Sequence, residues 1–446
     1  MARYDNTIGV KVPQILLPRE GVDLKKWAVV ACDQYTSQPE YWDETARIVG
    51  DAPSTLKIML PELYLDKPDE AERIAKIREN MDAYLRTGVL ENKGEGFVLV
   101  RRSCAGKIRL GLVMALDLDQ YEYTKGSKTL IRASEGTVVE RIPPRLRIRW
   151  GAPIEMPHIL VLIDDPARSV IEPLAAAQSE LKKLYDIDLM QNGGHVDGYM
   201  IDDPAKIEGV ISALESVKAG FAGKYGADRA PMLFAMGDGN HSFATAKANW
   251  EKLKATLPES ERADHPARYA LVEIENVHDE GIVFEPIHRV IFNVDVQEAL
   301  DFLKGKIKEQ NGGCEWVPAS SVAEAEAELK NTAKGTHALP AVFEGGCGYF
   351  KVTAPSAQLA VGTLQNALDE LLRAFAGSSV DYIHGEDVTV ELGSKAKNIG
   401  FLLPPMAKGA FFDTIVYDGA LPRKTFSMGE AQEKRYYLEC RRILNG

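Results

Sequence analysis

Residues 234–250 read FAMGDGNHSFATAKANW, and the rest of the chain is best understood outward from them. The apolar run 231–236 (PMLFAM) has the length and flanks of a buried strand, and it runs straight into a loop, Gly237-Asp238-Gly239-Asn240-His241-Ser242. Past the loop, Phe243, Ala246, Trp250 and Leu253 recur at helical spacing. A strand, a glycine turn and a helix in that order predict an α/β protein. Glycines let the backbone approach a ligand closely, and the free N–H groups and dipole of a helix start favour an anion. Asp238 is therefore a candidate for holding Mg²⁺ or accepting a proton, and His241 for donating to a phosphate or moving a proton. Gly237, Gly239, Asn240 and Ser242 are candidate cradle residues. An ordinary strand–turn–helix corner capped by Asn240 would read the same way. The loop is neither a Walker P-loop nor a Rossmann fingerprint.

A hundred residues earlier, 131–150 reads IRASEGTVVERIPPRLRIRW. Arg132, Arg141, Arg145, Arg147 and Arg149 stand out in an acidic protein, because guanidinium forks suit phosphate and carboxylate recognition. Arg132, Glu135 and Thr137 are candidate ligand-binding residues. The alternative is an edge strand whose arginines pair with Glu135, Glu140 and Glu155.

The chain has 446 residues, with 45% hydrophobic and 26% charged side chains and a formal net charge of −12. It is long enough for two domains and for a core without staples. The acidic balance disfavours nucleic acid and an anionic membrane surface as partners. The five cysteines are scattered, which predicts reduced thiols and a cytoplasmic protein. No signal-peptide pattern and no membrane-length apolar run is visible.

Strand and helix patterns interleave along the chain. WAVVAC (27–32) reads as a strand that delivers Asp33 to its C-terminal end, where ligands gather in open α/β sheets. Asp33 is thus a candidate general base or metal ligand. Ser37-Gln38-Pro39-Glu40 and Asp66-x-Pro68 each open a helix. FVLVRRS and IRLGLVMALDLD predict a hairpin around 104–107. PHILVLI (157–163) reads as a central strand feeding a helix with Val170, Leu174, Leu181 and Leu184 on one face. Another helix follows Asp203-Pro204, and RYALVEIENV (268–277) reads as a strand. Residues 295–333 predict two helices separated by a Gly312-Gly313 turn. Leu364, Leu368, Leu371 and Phe375 share one helix. The expected division is a main domain over 1–290 and a C-terminal α/β domain over 291–446.

Three weaker patches complete the search. Asn192–Gly198 is a glycine turn carrying His195 and Asp197. Pro286-Ile287-His288-Arg289 ends a strand, so that His288 and Arg289 are candidates for anion binding. Leu421–Ser427, with Arg423 and Lys424, is either a cationic lid or a solvated segment.

Asp33, IRASEGT, GDGNHS, PIHRV and PRKTFS occur in an order that resembles the family catalogued as domain of unknown function 1015, over nearly the whole chain. The loop is also similar to the D-G-H-H-R signature of the ParB/sulfiredoxin-like superfamily, which includes nucleotide-dependent ParB proteins, sulfiredoxins and free-serine kinases. The resemblance implies a nucleotide-binding core in which Gly237, Asp238, Gly239, Asn240 and His241 hold phosphates. Asn240 and Ser242 stand where that signature has His and Arg, so either another cation, such as Arg132, supplies the missing charge or this branch has altered its ligand. The implied function is a small-molecule phosphotransferase using a nucleotide (ATP or ADP) or polyphosphate donor with Mg²⁺, including a free-serine kinase. Asp33, Asp238 and His241 would be its catalytic residues, and a homo-oligomer is compatible with it. A non-enzymatic nucleotide-binding switch and a hydrolase of phosphorylated metabolites are the rival readings.

Overall fold

The computed structural model describes residues 4–5, 7–333 and 335–444. It falls into two compact units, Met1–Val283 with Gly429–Gly446, and Phe284–Met428. Both mix strands and helices, so the protein is α/β.

The longer strands of the first unit are β1 (Phe97–Cys104), β2 (Lys107–Asp117), β3 (Ile131–Arg132), β4 (Leu160–Ile163), β5 (Lys182–Asp188), β6 (His195–Ile201), β7 (Phe234–Asp238) and β8 (Tyr269–Asn276). They form one sheet in the order β5-β6-β1-β2-β8-β4-β7-β3. Hairpin β1–β2 turns at 105–106, where Ala105 and Gly106 both have positive φ, so the expected hairpin is present. The sheet changes direction at β4, which is parallel to β8 and antiparallel to β7, while β7 is parallel to β3.

Both faces of this sheet are buried, as its near-continuous apolar runs such as 97–100 and 160–163 require. Leu99, Leu112 and Met114 share one cluster with Val161, Phe234, Phe243 and Trp250. Val98, Val100 and Val113 face a second cluster with Trp27, Trp42, Met81, Leu271 and Tyr437.

The principal helices of this unit are α1 (Pro39–Val49), α2 (Glu70–Arg86), α3 (Ile142–Arg149), α4 (Pro204–Tyr225) and α5 (Asn240–Lys254). Pro39 occupies the first turn of α1, and Asp203 caps α4 through its side chain. Three expectations need correction. Trp27 ends a short helix, Leu24–Trp27, and only Val29–Val30 is strand, because Asp23 caps residues that a purely apolar reading assigns to the sheet. The arginine-rich segment is helix α3, entered through Pro143 and Pro144, rather than an edge strand. Leu181 and Leu184 belong to the approach and body of β5, so the helix expected over 170–184 is cut to Glu172–Ala176.

In the second unit β9 (Phe284–Phe292), β10 (Gly313–Ala319), β11 (Thr336–Phe343), β12 (Gly346–Thr353), β13 (Ser379–His384) and β14 (Ile399–Phe401) pair in the order β10-β12-β11-β14-β9-β13. Helices α6 (Val296–Gln310), α7 (Val322–Asn331), α8 (Ala360–Ala374) and α9 (Glu386–Gly393) complete it. Its core joins Leu303 and Ile307 to Leu364, Leu368, Leu371 and Phe401. Strand β10 lies where a turn between two helices was expected. Residues 429–446 group with the first unit, held by strand pairs Tyr436–Val30 and Tyr437–Val29 and by Leu16–Cys440 hydrogen bonds.

Candidate functional site

Strand β7 ends at Asp238 and α5 starts at Asn240, so a single residue, Gly239, makes the whole turn between them. Gly239 has φ +80°, and a Cβ there would lie 3.1 Å from Ile159 Cα. Only glycine meets both demands without cost. Helix α5 then begins with no side-chain cap, and Phe243, Ala246 and Trp250 anchor it to the core. The first-turn dipole is therefore directed at whatever lies beyond the turn.

Asp238 Oδ1 accepts the Gly239 N–H at 2.8 Å, and Oδ2 lies 3.1 Å from Lys434 Nζ. Burial pushes the Asp238 carboxyl up, but the Lys434 ammonium, His158 and the Gly239 N–H together outweigh it and hold the group below the usual carboxylate range. A carboxylate at a helix start repels a bare phosphate. Its pairing with Lys434 removes that repulsion.

The 132–138 stretch lies against the same loop. Asn240 Nδ2 donates to Ser134 Oγ at 3.3 Å, and the Val138 N–H donates to His241 Nε2 at 3.3 Å. Two buried polar atoms here, Asn240 Oδ1 and Thr137 Oγ1, have no hydrogen-bond partner among the described residues. Glu135 is half-buried beside them in sequence. Arg132 behaves differently from its expected role. Its guanidinium donates to the carbonyls of Thr129 at 2.9 Å, Ala230 at 2.7 Å and Pro231 at 3.4 Å, so it ties β3 to the segment before β7. Lys434 is the cation beside the loop.

Ser242, in the first turn of α5, opens a chain of hydrogen bonds. Its Oγ lies 2.9 Å from His158 Nε2, and His158 Nδ1 lies 2.7 Å from the Tyr437 hydroxyl. That hydroxyl also accepts the Cys32 N–H at 3.3 Å. His158 is buried, and burial raises the Tyr437 phenol well above its ordinary value. Asp33 follows Cys32, accepts from Gln34 Nε2 at 3.1 Å, and raises the same phenol further through its charge. The structure thus brings Asp33, Asp238, Asn240, His241 and Ser242 around His158, Tyr437 and Lys434. Sequence reading missed these last three. His158 lay hidden in a run read as strand, and Lys434 and Tyr437 come from a C-terminal segment with no local motif.

A cavity of about 140 Å³ adjoins Ser242, Thr245, His158 and Tyr437. Its walls include Met59, Leu60, Met81, Ile148 and Met156, all from the first unit.

The other candidates have structural partners. Arg145 pairs with Glu62 and Arg149 with Glu155, while Arg147 reaches Glu70 at 2.7 Å and Asp66 at 2.8 Å. His195 lies 2.8 Å from Asp188 and 3.0 Å from Asp186 on a hairpin. In the second unit Pro286–Arg289 lies inside β9 rather than ending it. His288 Nδ1 accepts the Leu403 N–H at 3.0 Å. Fully buried Arg289 donates to Gln365 Oε1 at 3.2 Å and to the Arg423 carbonyl at 2.8 Å. Arg423 itself donates to the Tyr382 hydroxyl at 2.6 Å and pairs with Asp369. Among the described residues no three His, Cys, Asp or Glu side chains converge as a metal site, and no helix is long and apolar enough to cross a membrane.

A glycine turn thus delivers an uncapped helix start to a charged, partly buried corner of the first unit's sheet. The chain belongs to the family described as protein of unknown function, domain 1015, whose model matches residues 16–371. No curated protein matches it. Solved structures with a similar fold include a free serine kinase in complex with AMP (13% identity, TM-score 0.39), covering 74% of this chain and 92% of that one. A conserved hypothetical protein from Pyrococcus furiosus is similar at 14% identity and TM-score 0.36, over 73% of this chain and 93% of that one. SbnI from Staphylococcus aureus, truncated at its C-terminus, is similar at 10% identity and TM-score 0.34, over 71% and 83%.

Proposed function

We propose that the first unit binds the phosphates of a nucleotide or polyphosphate at the start of α5 and transfers a phosphoryl group to a small-molecule hydroxyl, in a ParB/sulfiredoxin-like manner. The observation that carries this reading is the Lys434–Asp238 ion pair beside an uncapped helix start. Phosphoryl transfer needs an anion cradle, positive charge on the transferring group and a proton acceptor for the alcohol. The α5 amides with Gly239 form the cradle. Lys434 takes the place expected of Arg132, its charge shared with Asp238. Thr137 Oγ1 is a buried hydroxyl with no partner among the described residues, suited to a phosphate oxygen, and Asn240 Oδ1 is an acceptor suited to a ligand hydroxyl or amine.

Mg²⁺ arriving on a nucleotide needs only one or two protein carboxylates, since phosphates and water complete its shell. Asp238 is the carboxylate that fits. Bound there, Mg²⁺ would neutralise charge on the phosphates. Asp33 and His158 are the candidate acceptors of the alcohol proton: His158 bonds the Tyr437 hydroxyl, and Asp33 follows Cys32, whose N–H donates to that hydroxyl. Retaining Asp33, Asp238 and His241 as catalytic candidates, the reading adds His158.

The test is a product assay with ATP and Mg²⁺ over a panel of small alcohols and hydroxy amino acids. A phosphorylated acceptor supports the proposal. Free phosphate without acceptor dependence means a hydrolase. Tight nucleotide binding with no product means a switch.

A further inference from the structure

The 140 Å³ cavity beside α5 has an unusual division of chemistry. A single water needs about 10–15 Å³ on this scale, so the cavity holds a body of on the order of ten non-hydrogen atoms. Much of its wall is methionine, leucine and isoleucine, including Met59, Leu60, Leu65, Met81, Ile148 and Met156. The charged side chains in the wall are already paired with one another, Glu62 with Arg145, and Glu155 with both Arg149 and Arg441. Among the described residues Arg149 Nε is left without a partner. The wall also carries a polar chain, the Ser242 hydroxyl, His158 and the Tyr437 hydroxyl, joined by hydrogen bonds.

We infer that this cavity is the acceptor pocket of the phosphotransfer proposed above, on which the inference rests, and that the acceptor is a neutral alcohol with an apolar body. A zwitterionic amino acid needs a counter-charge for its ammonium and another for its carboxylate. Here the ammonium would be desolvated with no free carboxylate to meet it, since Glu62 and Glu155 are already paired, at a cost of several kcal/mol. An apolar body instead gains from every methylene it buries. A nucleobase bound there would not need to give up a proton to the Ser242–His158 chain. An alcohol must lose one.

The step balances as follows. The alcohol oxygen bonds the terminal phosphorus of a nucleoside triphosphate. The bridging oxygen–phosphorus bond breaks, and the diphosphate leaves with its electron pair. The alcohol proton passes to Ser242 Oγ as the Ser242 proton moves to His158 Nε2. For Nε2 to accept, Nδ1 carries the other proton and donates to the Tyr437 oxygen, which already accepts from the Cys32 N–H. The Asp238 carboxylate interacts favourably with a protonated His158.

The experiment assays the full chain with ATP and Mg²⁺ against 2-phenylethanol, 2-phenoxyethanol and L-serine, with ATP binding measured separately by calorimetry. The cavity is narrowed by Leu65→Trp and, independently, by Ile148→Trp, so that misfolding of one leaves the other. The expected result is kcat/KM at least about tenfold higher for an aryl alcohol than for L-serine. Either Trp variant should raise KM for the alcohol about tenfold or more while ATP binding stays at the parent value. A preference for L-serine overturns the inference and leaves phosphotransfer standing. So does loss of ATP binding in both folded Trp variants, which would make the cavity a nucleobase pocket. Absence of ATP binding and of any phosphorylated product overturns both readings.

Discussion

Lys434 Nζ and Asp238 Oδ2 lie 3.1 Å apart although 196 positions separate them, and the ammonium helps hold the carboxyl below its ordinary pKa. The folded-state pKa is depressed, so the group adds stability that is present above about pH 3.9 and is lost as pH falls through the folded value. Lys434→Met removes the charge and raises the Asp238 pKa. Carboxyl titration by NMR should show that rise, and acid unfolding should begin at higher pH in the variant. An unmoved Asp238 titration would mean that the pair does not form in solution.

Gly239→Ala tests the turn. The residue sits at φ +80°, and the new methyl would meet Ile159 Cα at 3.1 Å. Left-handed strain and the backbone contact together should cost about 1–3 kcal/mol, read as a lower denaturant midpoint. A variant as stable as the parent would show that the turn is not as described.

Arg435 holds the C-terminal segment. Its Nε lies 2.7 Å from Glu273 and its Nη2 2.7 Å from Glu439, and all three are buried. Arg435→Met would strand two buried carboxylates, with an expected loss of about 3–5 kcal/mol. Because Lys434 and Tyr437 flank Arg435, nucleotide affinity should fall with it. A loss below about 1 kcal/mol in chemical denaturation would contradict this account.

His288 lies in the core of the second unit, where burial and the neighbouring Arg289 charge lower its pKa to about 4. The unfolded value is about 6.5, so the folded state binds fewer protons between these limits. Its contribution, roughly 3 kcal/mol, is complete above pH 6.5 and is lost as pH falls toward 4. Denaturation of the second unit at pH 7.5 and pH 4.5 should show this slope, and His288→Asn should flatten it. Equal slopes in parent and variant would assign the acid sensitivity to other groups.

How much of this was legible beforehand depends on how local the signal is. The 104–107 hairpin and the β7–Gly239–α5 corner are each set by neighbours in sequence, and each reads correctly from alternation or helical spacing. Trp27 misleads because an aromatic beside valines looks like strand, whereas Asp23 has already capped a helix through it. The Arg147 and Arg149 segment misleads because Pro143 and Pro144 are as compatible with a helix start as with an edge strand. At the site, Asp238, Asn240 and Ser242 are found from one motif. Lys434, His158 and Tyr437 reach the same place through tertiary packing alone, and no spacing in the sequence connects them. Arg132 illustrates the converse, since a guanidinium that suggests phosphate is used on three backbone carbonyls.

The most direct measurement of the central claim is calorimetric titration of ATP with Mg²⁺ into the parent chain and into Lys434→Met. The account predicts binding by the parent and affinity roughly tenfold or more weaker in the variant, as expected for losing a charge-assisted contact of about 1.5–3 kcal/mol. No binding by the parent, or equal binding by the two, would contradict it.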